Sequence, residues 1–308
     1  PSYCPVLKSE TQVVGSGKSF ELLNDLDFSS PYSSSGAPNR KIIPNISSDG
    51  SIVSYNLTKS EVCFNGITKL HKQPIRQNDV KPFLNVFLND DNVSDILSVI
   101  VKSGILTDNP SYNEFFDEDL RYYEVPYLAE QYVYIEDLSQ IDENNLKVAK
   151  LKKVNKKFIK EYTPNGFCKL TFGSGSENYD SFNQTFVQKG FRSLSSYLNN
   201  TALGVTIPAN STLFIKYRTS DGASSNIGAN VLNTLGNVYF TINGSREDYN
   251  QLVRKSLTVN NTIPAFGGAD KLPIEQLRYL IKYYNASQER CVTLTDYLTM
   301  IYLIPGKF

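Results

Sequence analysis

The chain has 308 residues but no tryptophan, one methionine and one histidine. A single imidazole, His71, excludes every site that needs two: paired-histidine zinc sites, Cys2His2 fingers and two-histidine iron centres. A serine or cysteine nucleophile would have to use that same residue as its base. His71 stands in Thr68-Lys69-Leu70-His71-Lys72-Gln73, ahead of Pro74, and no Gly-x-Ser-x-Gly elbow occurs anywhere. It is expected in a surface loop, and no enzymatic activity is expected. An excess of one charge is also missing, since Lys plus Arg and Asp plus Glu both number 31. Nucleic-acid binders carry a basic surplus, so nucleic acid is not expected as a partner. No apolar run reaches the roughly 18 residues of a membrane span, so a membrane is not expected either.

The four cysteines, Cys4, Cys63, Cys168 and Cys291, form no C-x-x-C pair. They read as separate thiols in a reducing compartment. The segment Gly15-Ser16-Gly17-Lys18-Ser19 has the ending of a phosphate-binding loop, in which backbone N–H groups and a lysine cradle phosphates. The first glycine of that pattern is absent, because Gln12 holds its place. A turn between two strands is the expected reading, and no cofactor or small-molecule substrate is expected. Carboxylates gather at Asp90-Asp91 and at Asp117-Glu118-Asp119. The first pair sits in an Asn-flanked turn and the second group in a solvated, aromatic segment. Neither has the spacing of a calcium loop, and no metal site is expected.

At 40% hydrophobic and 20% charged residues, the composition is that of a folded chain. Its first two thirds read as short strands broken by Gly, Pro, Asn, Asp and Ser. Lys81–Leu88 and Leu97–Val101 flank a turn and are candidates to pair. Ser29–Asn39 reads as a long loop. The basic stretch Lys147–Lys160 reads as a solvated strand or helix face. Phe167–Phe172, Thr212–Tyr217 and Val238–Ile242 are further strand candidates, and Leu194–Leu198 suggests a short helix. After Pro264 the period changes. Ile274, Leu277, Leu280, Ile281 and Tyr284 recur at helical spacing behind Pro273, with Asp270 upstream where a carboxylate suits the positive helix end. Thr293-Leu294-Thr295-Asp296 is a capping box, and Leu294, Tyr297, Leu298 and Ile301 form the stripe of a second helix. The fold class expected is α+β and multi-domain: mostly β in the first two thirds, with a two-helix segment at the C-terminal end. The expected divisions are a β-rich segment 1–73, a β-rich arm 74–165 and a core 166–308.

Gly267-Gly268-Ala269-Asp270, Ile274-Glu275-Gln276-Leu277-Arg278, Arg290-Cys291-Val292-Thr293 and Asp296-Tyr297 together resemble the baseplate J-like family. That family includes the baseplate wedge protein of contractile-tailed phages. Upstream, Phe172-Gly173-Ser174-Gly175 is similar to the family's Phe-Gly-Asp-Gly turn, with Ser174 in place of Asp. Thr212–Tyr217, followed by Asp221-Gly222 and Asn226-Ile227, looks like its strand-then-Gly-and-Asn pattern. Leu272 stands where an acidic residue is common. The resemblance covers about Phe167–Tyr302 and implies a structural role in the virion tail, assembled in the host cytoplasm. Its implied partners are a second copy of the chain and other wedge subunits, closing into a ring that rearranges on contraction. The motif residues have structural jobs: Gly267 and Gly268 turn the chain, Thr293 and Asp296 cap, and Arg290 is placed to pair with Asp296 or a partner. The chain opens on Pro1 and ends at Phe308, and a piece of a longer protein is expected. A tail-associated β module that binds a receptor or glycan, through exposed aromatics and amides in one groove, is the alternative.

Overall fold

The computed structural model describes residues 4–32, 38–90, 92–105, 107–141, 147–175, 203–242, 247–270, 272–287 and 290–303. Strand outweighs helix, so the fold is α+β and mostly β. The chain divides into two compact units that interleave in sequence. Unit 1 takes Pro1–Ser29, Glu61–Gly66 and Ser220–Phe308; unit 2 takes Ser30–Ser60 and Ile67–Thr219. The unit edges therefore fall at 29, 60, 66 and 219, not at the expected 73 and 165. The cause is long-range strand pairing, which one-dimensional composition does not report.

Unit 2 is built on a seven-stranded sheet. Its order is Ile67–Ile75, Ser211–Thr219, Val93–Ser103, Arg121–Glu124, Lys157–Tyr162, Cys168–Phe172 and Asn85–Phe87. Ser211–Thr219 is flanked by a strand on each side and is rich in β-branched and aromatic residues, as a buried strand should be. Leu213, Phe214 and Ile215 have no solvent exposure. Phe172 packs in the core against Tyr122 in an edge-on contact at 5.6 Å and against Phe158 at 5.8 Å. Asn85–Phe87 pairs with Cys168–Phe172 instead of with Val93–Ser103, so the expected local pairing is overruled by an edge position next to a distant strand. His71 lies on the outer strand opposite Ile215 and is not in a loop.

Two hairpins extend this unit: Arg40–Ile46 with Ile52–Lys59, and Tyr132–Ile141 with Lys147–Lys153. The first is amphipathic. Ile42, Pro44, Ile46, Tyr55 and Leu57 share one face by register, while Asn45, Ser54 and Asn56 hydrogen-bond along the other. The basic run Lys147–Lys160 falls on two strands, Lys147–Lys153 and Lys157–Tyr162, but not all of it is solvated. Lys157 within it is buried, and its ammonium donates to the Glu130 carbonyl at 2.6 Å. Burial holds its pKa below that of an ordinary lysine, against the opposing pull of Glu130.

Unit 1 has a four-stranded sheet in the order Thr234–Leu235, Gln12–Gly15, Lys18–Leu22, Cys63–Asn65. A three-stranded sheet of Phe240–Thr241, Val6–Leu7 and Leu26–Asp27 accompanies it. Its small core holds Val13, Phe20 and Leu232. Three helices follow among the described residues: α1 (Glu247–Ser256), α2 (Ile274–Ser287) and α3 (Leu294–Leu303). The strand expected over 238–242 is only Phe240–Thr241, and the helix suggested at 194–198 lies outside the described residues.

Candidate functional site

The glycine-rich connector does not float between elements; it is tied to the turn at 221–226. Asn226 clamps the Gly268 backbone with both ends of its carboxamide, donating to the Gly268 carbonyl at 2.8 Å and accepting from its N–H at 2.9 Å. The backbones run so close that a Cβ on Gly268 would lie 2.5 Å from the Gly222 carbonyl oxygen and 2.5 Å from Ser225 Oγ. Any larger residue must push them apart. Asp270 accepts from the N–H of Ala223 at 2.9 Å. It thus serves the short 3-10 turn Gly222–Ser225, not the start of α2 as its position upstream of that helix suggested. At the start of α2, the carbonyl of the preceding residue, Pro273, accepts from Leu277 N–H at 3.0 Å.

The same turn receives the residues of the incomplete phosphate-loop motif. Gly15–Lys18 is a tight hairpin turn with Ser16 and Gly17 at positive φ, as a two-residue connection requires. Lys18 Nζ donates to Ser224 Oγ at 2.8 Å and lies 3.5 Å from Asp221. Asn65 accepts from Asp221 N–H at 2.8 Å and donates to the Ser19 carbonyl at 3.1 Å. The lysine is therefore a surface tie within a polar network. Exposed pairs of this kind contribute at most about 1 kcal/mol each.

The helix motif divides between local bonds and open surface. Asp296 accepts from Thr293 N–H at 2.8 Å, and Asp296 N–H reaches Thr293 Oγ1 at 3.3 Å, so the reciprocal cap at the start of α3 is present. These bonds to Thr293, with one from Val292 N–H, hold the Asp296 carboxyl below the usual carboxylate range. Both backbone bonds fall on Asp296 Oδ2. Arg290 stands just before it, in the connection between the helices. Arg278 forms an i,i+3 pair with Glu275 at 2.8 Å on the exposed surface. The expected apolar stripes face solvent. Leu280 is buried, but Ile274, Leu277, Ile281, Leu294, Leu298 and Ile301 are exposed, as are Tyr279 and Tyr297. Leu294 is 78% exposed, and Phe266, one residue before Gly267, is 89% exposed.

The upstream motif lies in unit 2, where Phe172 is a core residue and Gly173 a point of contact. A Cβ on Gly173 would come within 2.3 Å of the Gly204 backbone carbon, so only glycine fits. Gly175, at φ 75°, donates its N–H to the Gly204 carbonyl at 3.1 Å. Ser174 is buried beside them.

The carboxylate clusters take part in ion pairs. Asp90 pairs with Lys69 at 2.7 Å and accepts from the Tyr217 hydroxyl, and Glu118 pairs with Lys152. No group of three or more His, Cys, Asp or Glu among the described residues is arranged to hold a metal ion. The four cysteines are free, with Cys168 buried and Cys291 exposed; burial pushes the thiols of Cys63 and Cys168 up to about 11. No helix among the described residues is long and apolar enough to cross a membrane. No protein-family model matches the chain, and no curated protein matches it.

Proposed function

We propose that this chain is a structural subunit of a phage tail baseplate wedge, acting through protein–protein contacts and not through chemistry. The observation that carries this reading is the exposed apolar surface of α2 and α3. Side chains that recur at helical spacing, as a core-facing stripe does, stand in solvent in the lone chain. Exposed apolar side chains of this kind, with tyrosines among the aliphatics, suit the centre of an interface. The segment that carries them coincides with the residues resembling the baseplate J-like family. The resemblance supplies the identity of the partners: a second copy and other wedge subunits, in a tail ring that rearranges on contraction.

The test is assembly. The chain is mixed with the other baseplate proteins of its tail, and the mass is followed by light scattering. Complex formation is expected, and Leu298→Asp with Ile281→Asp should abolish it while leaving the circular dichroism spectrum unchanged. A chain that stays monomeric with every tail protein present overturns the reading.

A further inference from the structure

At one edge of the seven-stranded sheet, the outer strand Asn85–Phe87 and the turn 163–167 line an open notch of about 270 Å3. Its lining is Phe87, Leu88, Asn89, Thr163, Asn165 and Phe167. We propose that this notch binds a neutral saccharide of one or two pyranose rings.

The chemistry of the lining selects that ligand. No charged side chain lines it, so nothing there compensates an ionic ligand for lost hydration. Leu88 is fully buried, while the phenyl rings of Phe87 and Phe167 are 50% and 38% exposed. Neither ring packs on another aromatic among the described residues, so no aromatic partner competes for them. The electron-rich face of an aromatic ring attracts the weakly positive C–H groups of a sugar ring, which no flat polar ligand presents. Asn89 and Asn165 are exposed, and their carboxamides make no hydrogen bond to the described residues. Each offers two donors and an acceptor, which matches the paired donor and acceptor character of vicinal hydroxyls. The volume lies just below the roughly 300–1,000 Å3 of drug-sized sites, so it admits a ring or two and not a long chain.

The notch is also set before any ligand arrives. Thr163 N–H donates to the Phe167 carbonyl at 2.9 Å, and Gly166 N–H to the Thr163 carbonyl at 2.8 Å. Pro164 fixes its own φ, and the Thr163 hydroxyl accepts from Phe167 N–H at 3.1 Å. On the other side, Leu88 N–H donates to the Cys168 carbonyl at 2.9 Å. Little ordering entropy is left for binding to overcome. A peptide strand adding to the same edge is the less favoured occupant. The outer strand has only three residues, and the Asn85 side chain is already held by the Thr171 hydroxyl at 2.7 Å.

The inference is independent of the assembly role. The whole chain is applied to an array of neutral, N-acetylated and acidic glycans. The methyl glycosides of glucose, galactose, mannose and N-acetylglucosamine are then titrated by NMR. Weak, saturable binding of neutral sugars is expected, with selectivity over acidic ones. Phe167→Ala and, separately, Asn165→Ala should each weaken it about tenfold, and Asn165→Ala should leave the melting temperature unchanged because its side chain holds nothing in place. Failure to bind any neutral glycan overturns the proposal. So does preference for acidic glycans, capture of an extended peptide in place of sugar, or binding that survives both substitutions.

Discussion

The seven-stranded sheet of unit 2 and the helix pair of unit 1 treat their apolar side chains in opposite ways. In the sheet, Ile75, Ile100, Leu170, Phe172, Leu213, Phe214 and Ile215 have essentially no exposure. In α2 and α3, Leu280 and Thr299 are buried and most other large apolar side chains face solvent. The sheet has used its hydrophobic surface within the chain. The helices have kept theirs available. A stripe read from sequence therefore says which residues avoid water, and not whether the same chain or another one covers them.

That contrast can be broken by truncation. Phe172→Ala should destabilise the chain by about 3–5 kcal/mol in urea unfolding, because it empties a packed site beside Tyr122 and Phe158. Leu298→Ala on α3 should change the same measurement by less than about 0.5 kcal/mol, yet weaken association with partners. Equal losses would mean that the helix face is covered in the isolated chain.

Backbone contacts sharpen it next. Gly173→Ala in the sheet unit and Gly268→Ala in the connector should each cost about 1–3 kcal/mol, since each places a Cβ under 3 Å from another backbone. Asn226→Ala should loosen the connector as well, because both bonds to Gly268 vanish together. Hydrogen exchange at Gly268 is the readout. Unaltered protection there would show that the clamp does not hold the connector.

At the helix start, Thr293→Ala should cost about 1 kcal/mol. Asp296→Ala should act in the same direction, and a double-mutant cycle should be sub-additive because the two residues share one cap. Additive losses would mean that the two act separately.

The smallest effect is one of pH. Glu114 of unit 2 is held down to about 2 by its bond from the Lys102 ammonium, then by the N–H of Ser111. Its folded value lies below its unfolded value of about 4.5. Its stabilisation is therefore complete above pH 4.5 and fades as pH falls towards 2. Glu114→Gln should flatten the acid side of the stability curve over that window, as measured by urea melts at several pH values.

Local signals were legible in sequence where local bonds decide the outcome. The Thr293–Asp296 cap, the Gly15–Lys18 turn and the strands Ser211–Thr219 and Cys168–Phe172 all follow from neighbouring residues. Long-range pairing was not legible. Asp270 was expected near the start of α2 and instead serves a turn at 223, 47 residues earlier. Asn226 carried a family-like signal but not its geometry, since nothing in the sequence says which backbone a carboxamide will clamp. Lys157 sat in a basic run that read as solvated, and the Glu130 carbonyl that receives it is 27 residues away. The saccharide notch combines a strand end with a turn about 75 residues on, so its phenyl rings and amides had no common pattern to display.

The interleaving of the two units also sets an order of events during synthesis. Every strand of the seven-stranded sheet has been made once residue 219 is added, so unit 2 can close early. The first strands of unit 1 cannot. Thr11 waits for Tyr239, a partner 228 residues distant, and Gln12–Gly15 waits for Thr234–Leu235. At roughly 5–20 residues per second, those amino-terminal strands stay unpaired on their outer edge for ~10–45 s while the ribosome makes the intervening chain. High sequence separation of this kind slows folding and exposes strand edges to wrong neighbours. The seven-stranded sheet can thus be complete before α1, α2 and α3 are made.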